Sequence, residues 1–150
     1  MAGITTGHPE NSDTLMIRSF NLAGCPVDKK ILVIDDDALI LKTLKMLLSR
    51  EKYVVDCVRN GQEAATRIHE GSYHLIICDV RMPGEDGIAV IKNLKKISQE
   101  MNHCEIPFIF ITGYASENTP IEAIKLGARD YILKPFDLDE LMKSIKQNLN

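Results

Sequence analysis

The sequence predicts an α/β fold: a doubly wound parallel sheet covered by helices on both faces, a (βα)5 three-layer sandwich. Three observations carry this expectation. From Lys30 onward, short apolar strand-like runs alternate five times with segments of helical period. The runs are close to continuously apolar, as strands buried on both faces are. Four of them also end in a residue that carries chemistry, namely Asp35, Asp79, Thr112 and Lys134. In open α/β sheets, the crevice beyond the carboxyl ends of the strands is where ligands bind.

The elements follow in order. Residues 31–35 read as strand one. Residues 38–49 form a helix with Leu41, Leu44 and Leu48 on one face, and Asp37 is its N-terminal cap. Strand two is 53–58. The next helix, 62–70, stops at Gly71, a residue favoured just past a helix end. Strand three is 75–79. A turn-rich loop from Met82 to Gly87 leads into a helix burying Ile88, Ile91, Leu94 and Ile97. Pro107 opens strand four, 108–111, which Thr112 closes. After a loop over 113–118 comes a short helix, 120–126, with Pro120 in the first turn and Gly127 past the end. Strand five is 131–133. The last helix starts at Asp137, has Glu140 three residues on as in a capping box, and buries Leu138, Leu141, Ile145 and Leu149.

Residues 1–28 are rich in Gly, Ser, Thr, Asn and Pro and have no sustained period. They read as a disordered tail, although Ser12 offers a cap for a short helix burying Leu15, Met16 and Phe20. The domain is then 29–150. With 150 residues, 45% of them hydrophobic, the chain suits one domain with a real core. A net charge of −3 with no long basic run argues against direct binding to nucleic acid. The apolar runs are far too short to span a membrane, and no signal pattern opens the chain. The four cysteines form no C-x-x-C pair, and Cys57 and Cys78 lie in strand-like runs. Those two read as small buried hydrophobes, and the cysteines as reduced thiols of a cytoplasmic protein.

The acids decide the strand order. Asp35 and Asp36 meet Asp79 only if strands one and three are neighbours, which the order 2-1-3-4-5 provides with its switch point between them. Three carboxylates there offer hard oxygen ligands to Mg2+ or Mn2+. A carboxylate beside such a metal is itself a nucleophile for a phosphoryl group. Positioning and cations then do most of the work, with Lys134 supplying an ammonium and Thr112 a hydroxyl. Pro135 leaves the isomer of the bond after Lys134 open. Other features read blandly. Gly84 and Gly87 are turn residues, His69 and His74 sit at helix and strand edges, and Lys92, Lys95 and Lys96 are a solvated helix face.

Four segments carry a resemblance. They are Ile31-Leu32-Val33-Ile34-Asp35-Asp36-Asp37; Asp79 with Met82-Pro83 and Asp86-Gly87; Phe108-Ile109-Phe110-Ile111-Thr112-Gly113; and Gly127-Ala128-Arg129-Asp130-Tyr131-Ile132-Leu133-Lys134-Pro135-Phe136. Over about residues 30–150 the chain resembles the CheY-like receiver domain of two-component response regulators, whose fold is flavodoxin-like. The resemblance implies that Asp79 is the phosphoacceptor and that Asp35, Asp36 and Asp79 hold the metal with the backbone carbonyl of Arg81. It implies that Thr112 and Tyr131 are the switch pair and Lys134 the invariant-type lysine. Arg81 and Tyr114 fall where members vary and tune phosphoryl lifetime. The implied donor is a sensor histidine kinase or phosphotransfer protein. The implied receiver of the signal is an effector protein or domain, with a phosphorylation-dependent dimer as one mode of output.

A haloacid-dehalogenase-type phosphohydrolase needs a second acid two residues after its nucleophile, then Thr or Val; Asp35-Asp36-Asp37-Ala38-Leu39 fails the last step. The loop after strand one is too poor in Thr, Ser and Gly for a flavodoxin's FMN. An adaptor that never becomes phosphorylated fits poorly with the intact pocket. No effector domain fits after Asn150, so the chain is expected to be a stand-alone receiver or part of a longer regulator.

Overall fold

The computed structural model describes residues 28–113 and 118–149. The expected tail, its Ser12 helix, Cys25 and Tyr114 lie outside the described residues. Five parallel strands form one sheet: β1 (Lys30–Ile34), β2 (Val54–Val58), β3 (Leu75–Asp79), β6 (Phe108–Thr112) and β7 (Asp130–Leu133). Their order is β2-β1-β3-β6-β7, which is the expected 2-1-3-4-5 when only sheet strands are counted. The loop after β3, expected as turns alone, also holds a two-stranded antiparallel ladder, β4 (Arg81–Met82) with β5 (Glu85–Asp86). The helices are α1 (Ala38–Arg50), α2 (Gly61–Glu70), α3 (Gly87–Glu100), α4 (Thr119–Leu126) and α5 (Leu138–Leu149).

The period-two geometry of a strand divides the core into two layers. Ile31, Val33, Leu75, Ile77, Ile109 and Ile111 pack under α1 and α5, on Leu41, Leu44, Leu48, Leu141 and Ile145. Leu32, Ile34, Ile76, Cys78, Phe108 and Phe110 face α2, α3 and α4. The cap expected of Asp37 is present, accepting the Leu39 N–H at 2.9 Å, and Gly127 ends α4 at a left-handed φ of 97°. Before α5, Asp137 accepts the Asp139 N–H at 2.8 Å, a different bond from that of a capping box.

Four readings need correction. Leu138, the first residue of α5, is 45% exposed, and Phe136 packs against the core instead. Cys57 is only half-buried, because β2 is an edge strand with β1 as its sole neighbour. Lys95 is not a solvated charge: its ammonium donates to the Leu126 carbonyl at 2.9 Å and pairs with Glu105 at 3.3 Å, tying α3 to the end of α4. Gly87 is more than a turn residue. A Cβ there would lie 2.1 Å from the Asp79 carbonyl oxygen, while the Gly87 N–H donates to the Val80 carbonyl at 2.7 Å. Helix α3 thus begins against the backbone that follows β3, and only glycine fits.

Gly87→Ala is therefore expected to cost at least about 3 kcal/mol, because the clash is with backbone that cannot relax alone. Gly84→Ala, at a φ of 72° with nothing within 4 Å, should cost about 1 kcal/mol. Urea unfolding of the two variants checks the ranking.

Candidate functional site

The site sits where β1, β3 and β7 end. Asp35 directly follows β1, and Asp79 closes β3; they are 3% and 5% exposed. Each carboxylate is held from two sides. Asp35 Oδ1 accepts the Asp37 N–H at 2.9 Å, and its Oδ2 takes the Lys134 ammonium at 2.7 Å. Asp79 Oδ1 accepts the Arg81 N–H at 3.3 Å, and its Oδ2 lies 3.5 Å from the same ammonium. The Lys134 N–H in turn donates to the Thr112 carbonyl at 2.8 Å, which sets the height of the lysine on the sheet. The Lys134–Pro135 bond is cis.

Asp36, half-buried, completes an acidic group: one carboxylate oxygen from each of Asp35, Asp36 and Asp79 lies within 4.8 Å of the others. Three carboxylates face one ammonium. Burial pushes the Asp79 carboxyl up to about 6, and the charge of Asp35 adds to this, against the pull of Lys134 and the Arg81 N–H. Burial alone would lower Lys134, but the hydrogen bond and charge of Asp35, with the charge of Asp79, hold its pKa above the ordinary range. Excess negative charge from oxygen donors at this spacing fits a hard divalent cation. Asp35, Asp36 and Asp79 would hold it.

Strand parity separates two tasks. Asp35, Asp79 and Lys134 continue the alternation of the layer under α1 and α5. Thr112, fully buried, continues that of Phe108 and Phe110, and Tyr131 packs against the opposite layer, paired in register with Phe110. Burial raises the Tyr131 phenol, with the Asp79 charge adding to it. Of the residues singled out from sequence, the structure brings Asp35, Asp36, Asp79 and Lys134 together. It places Thr112 and Tyr131 on the neighbouring strands' other face, and Arg81 in the ladder beside Asp79.

Sequence reasoning missed Arg59 and Glu85. Arg59 Nη2 donates to the Asp36 carbonyl at 2.9 Å, and Glu85 Oε1 accepts the Gly61 N–H at 2.7 Å. Arg59 lies in the turn after β2 and Glu85 in the small ladder; no spacing or period marks either, and the contact shows only in the fold, where a Cβ on Gly61 would meet Glu85 Oε2 at 2.7 Å.

An open five-strand parallel sheet with an acid crevice at its switch point, reached by a lysine from the end of β7, is that of a doubly wound α/β ligand-binding domain. Residues 31–146 match the response regulator receiver domain, and the chain belongs to that family. The transcriptional regulatory protein ZraR of Escherichia coli is 38% identical over 119 residues, 79% of this chain and 26% of ZraR. The chain thus spans about a quarter of that relative's length. Among solved structures, response regulator TrrA of Thermotoga maritima, in complex with Mg2+-BeF, is 33% identical with a TM-score of 0.68, covering 81% of this chain and 99% of that one. A Burkholderia pseudomallei response regulator with a phosphorylated aspartic acid, calcium ion and citrate is 29% identical with a TM-score of 0.71, covering 81% and 69%.

The raised Asp79 carboxyl has a sign for stability. Unfolded, it titrates near 3.8; folded, near 6, so the folded state binds the extra proton and stability falls as pH rises from about 4 through about 6. Without divalent cations, Asp79→Asn should therefore be more stable than wild type at pH 7.5, by about 2 kcal/mol. The gain should vanish below about pH 4, and urea unfolding across that range measures both ends.

Proposed function

We propose that this receiver domain takes a phosphoryl group on Asp79 from a phosphohistidine of a sensor kinase or phosphotransfer protein. The single observation that supports this most is the buried Asp79 carboxylate, flanked by a second buried acid and a shared lysine. An oxygen of Asp79 attacks phosphorus as the bond to the donor imidazole nitrogen breaks. The products are an aspartyl phosphate and a neutral imidazole, which keeps the electron pair of the broken bond and its other N–H. Above about pH 6 the nucleophile is ionised without assistance. Mg2+ or Mn2+ bound by Asp35, Asp36, Asp79 and the Arg81 carbonyl supplies charge for the phosphoryl oxygens. Lys134, already within 3.5 Å of Asp79, shifts its ammonium toward the new phosphoryl oxygens. The position of Arg81, two residues after Asp79 and exposed, suits it to govern water access and hence phosphoryl lifetime.

Thr112 and Tyr131 act as the switch. The phosphoryl oxygens accept the Thr112 hydroxyl, and Tyr131 takes up the space at the β6–β7 edge, which biases a two-state element. Ile121, Ile124, Leu133 and Leu138 are exposed on α4, β7 and α5, an apolar face suited to an effector or to a second copy after phosphorylation. Among the described residues no helix is long and apolar enough to cross a membrane, and the reading places the chain in the cytoplasm with its donor. The receiver unit is residues 29–150.

Incubation with Mg2+ and acetyl phosphate should add one phosphoryl group by intact mass, and none to Asp79→Asn; equal labelling of the variant refutes the assignment. Thr112→Ala should still be phosphorylated, yet lose most of the amide NMR shifts that wild type shows along α4, β7 and α5. A chain beginning at Lys29 should match the full chain within about 2 °C in melting temperature, because the five-strand core lies wholly within it. A larger loss would mean that the preceding residues pack on the domain.

A further inference from the structure

Strand β2 carries none of the three site acids, yet it leads into a turn that touches both loops that follow them. Arg59 donates Nη2–H to the Asp36 carbonyl at 2.9 Å, a second hold on the 35–37 turn besides the Asp37 N–H bond to Asp35 Oδ1. Two residues later, the Gly61 N–H donates to Glu85 Oε1 at 2.7 Å. Glu85 pairs with Met82 in the small ladder, and Arg81, beside Met82, donates its N–H to Asp79 Oδ1. The turn itself is stiff. Glu63 Oε2 accepts the Arg59 N–H at 3.0 Å, and Asn60 Oδ1 accepts the Glu63 N–H at 2.8 Å, so side chains of the same turn bind a backbone donor on each side of the cap of α2. Arg59 and Glu85 therefore link the acid pair to the phosphoacceptor loop by a route outside the crevice.

We propose that Arg59 and Glu85 are positioning residues that set the spacing of the metal ligands, without either being a ligand. The inference rests on the reading that Asp35, Asp36 and Asp79 hold a divalent cation. Groups that fix ligand-bearing backbone before the ion arrives remove an ordering cost from binding. Charge and geometry make opposite demands at Arg59. Removing a cation beside an acidic crevice would by itself favour another cation, so weaker binding after its removal identifies the brace.

The test is a Mg2+ titration of the full chain followed by amide NMR, with phosphorylation rate against Mg2+ concentration as the second readout. Arg59→Ala and Glu85→Ala should each weaken Mg2+ binding by about tenfold. Glu85→Gln, which keeps an oxygen for the Gly61 N–H, should recover most of the loss. The Mg2+ concentration giving half-maximal phosphorylation should rise in parallel, with the rate at saturating Mg2+ little changed. Binding by Arg59→Ala as tight as or tighter than wild type overturns the brace, as does equal affinity of Glu85→Ala and Glu85→Gln. Wild type that binds no Mg2+ overturns the metal reading and the brace with it, whereas wild type that binds while the variants match it overturns the brace alone.

Discussion

One ion pair organises the site: the Lys134 ammonium between the buried carboxylates of Asp35 and Asp79. Each buried charge costs several kcal/mol to remove from water, and two carboxylates side by side repel. A single cation reaching both from β7 makes the arrangement tolerable, but it does not neutralise three acids. The site is left with excess negative charge and a proton affinity raised at Asp79. That residual imbalance is what a divalent cation relieves. The same electrostatics that raise the Asp79 carboxyl leave the crevice suited to a hard divalent cation.

This requirement accounts for the topology around it. Asp35 and Asp79 meet because β1 and β3 are adjacent at the switch point, and the lysine arrives from two strands away, at a height set by its N–H bond to the Thr112 carbonyl. Gly87 belongs to the same design. Its lack of a Cβ lets α3 start against the Asp79 backbone, with the Gly87 N–H bonded to the Val80 carbonyl. The sheet's pleat then sorts function by face. The carboxylates and lysine share the parity of the α1–α5 layer, and Thr112 and Tyr131 share that of the α2–α4 layer.

Lys95 shows how the second layer is held. Its ammonium binds the Leu126 carbonyl at the end of α4 and lies 5.6 Å from the Phe108 ring centroid, so the short helix is anchored at its C-terminal end. Its only buried residue is Ala123, while Ile121 and Ile124 face solvent. A helix with so little buried surface is among the elements whose position costs least to change.

The sequence by itself determined the five strands, the five helices, the strand order and the four side chains that meet in the crevice. Those features are written in local patterns: apolar runs, helical periods, caps such as Asp37, and polar residues at strand ends. Only the tertiary structure decided the exposure of Leu138, and that of Cys57, which depends on β2 lying at the edge of the sheet. The roles of Lys95, Arg59 and Glu85 were equally invisible, because each makes its bond to a backbone group 23 to 31 residues away. Backbone carbonyls and N–H groups are the same at every position, so a side chain bonded to one leaves no complementary partner residue to read. Periodicity records which face a residue takes, and only packing records what it meets there.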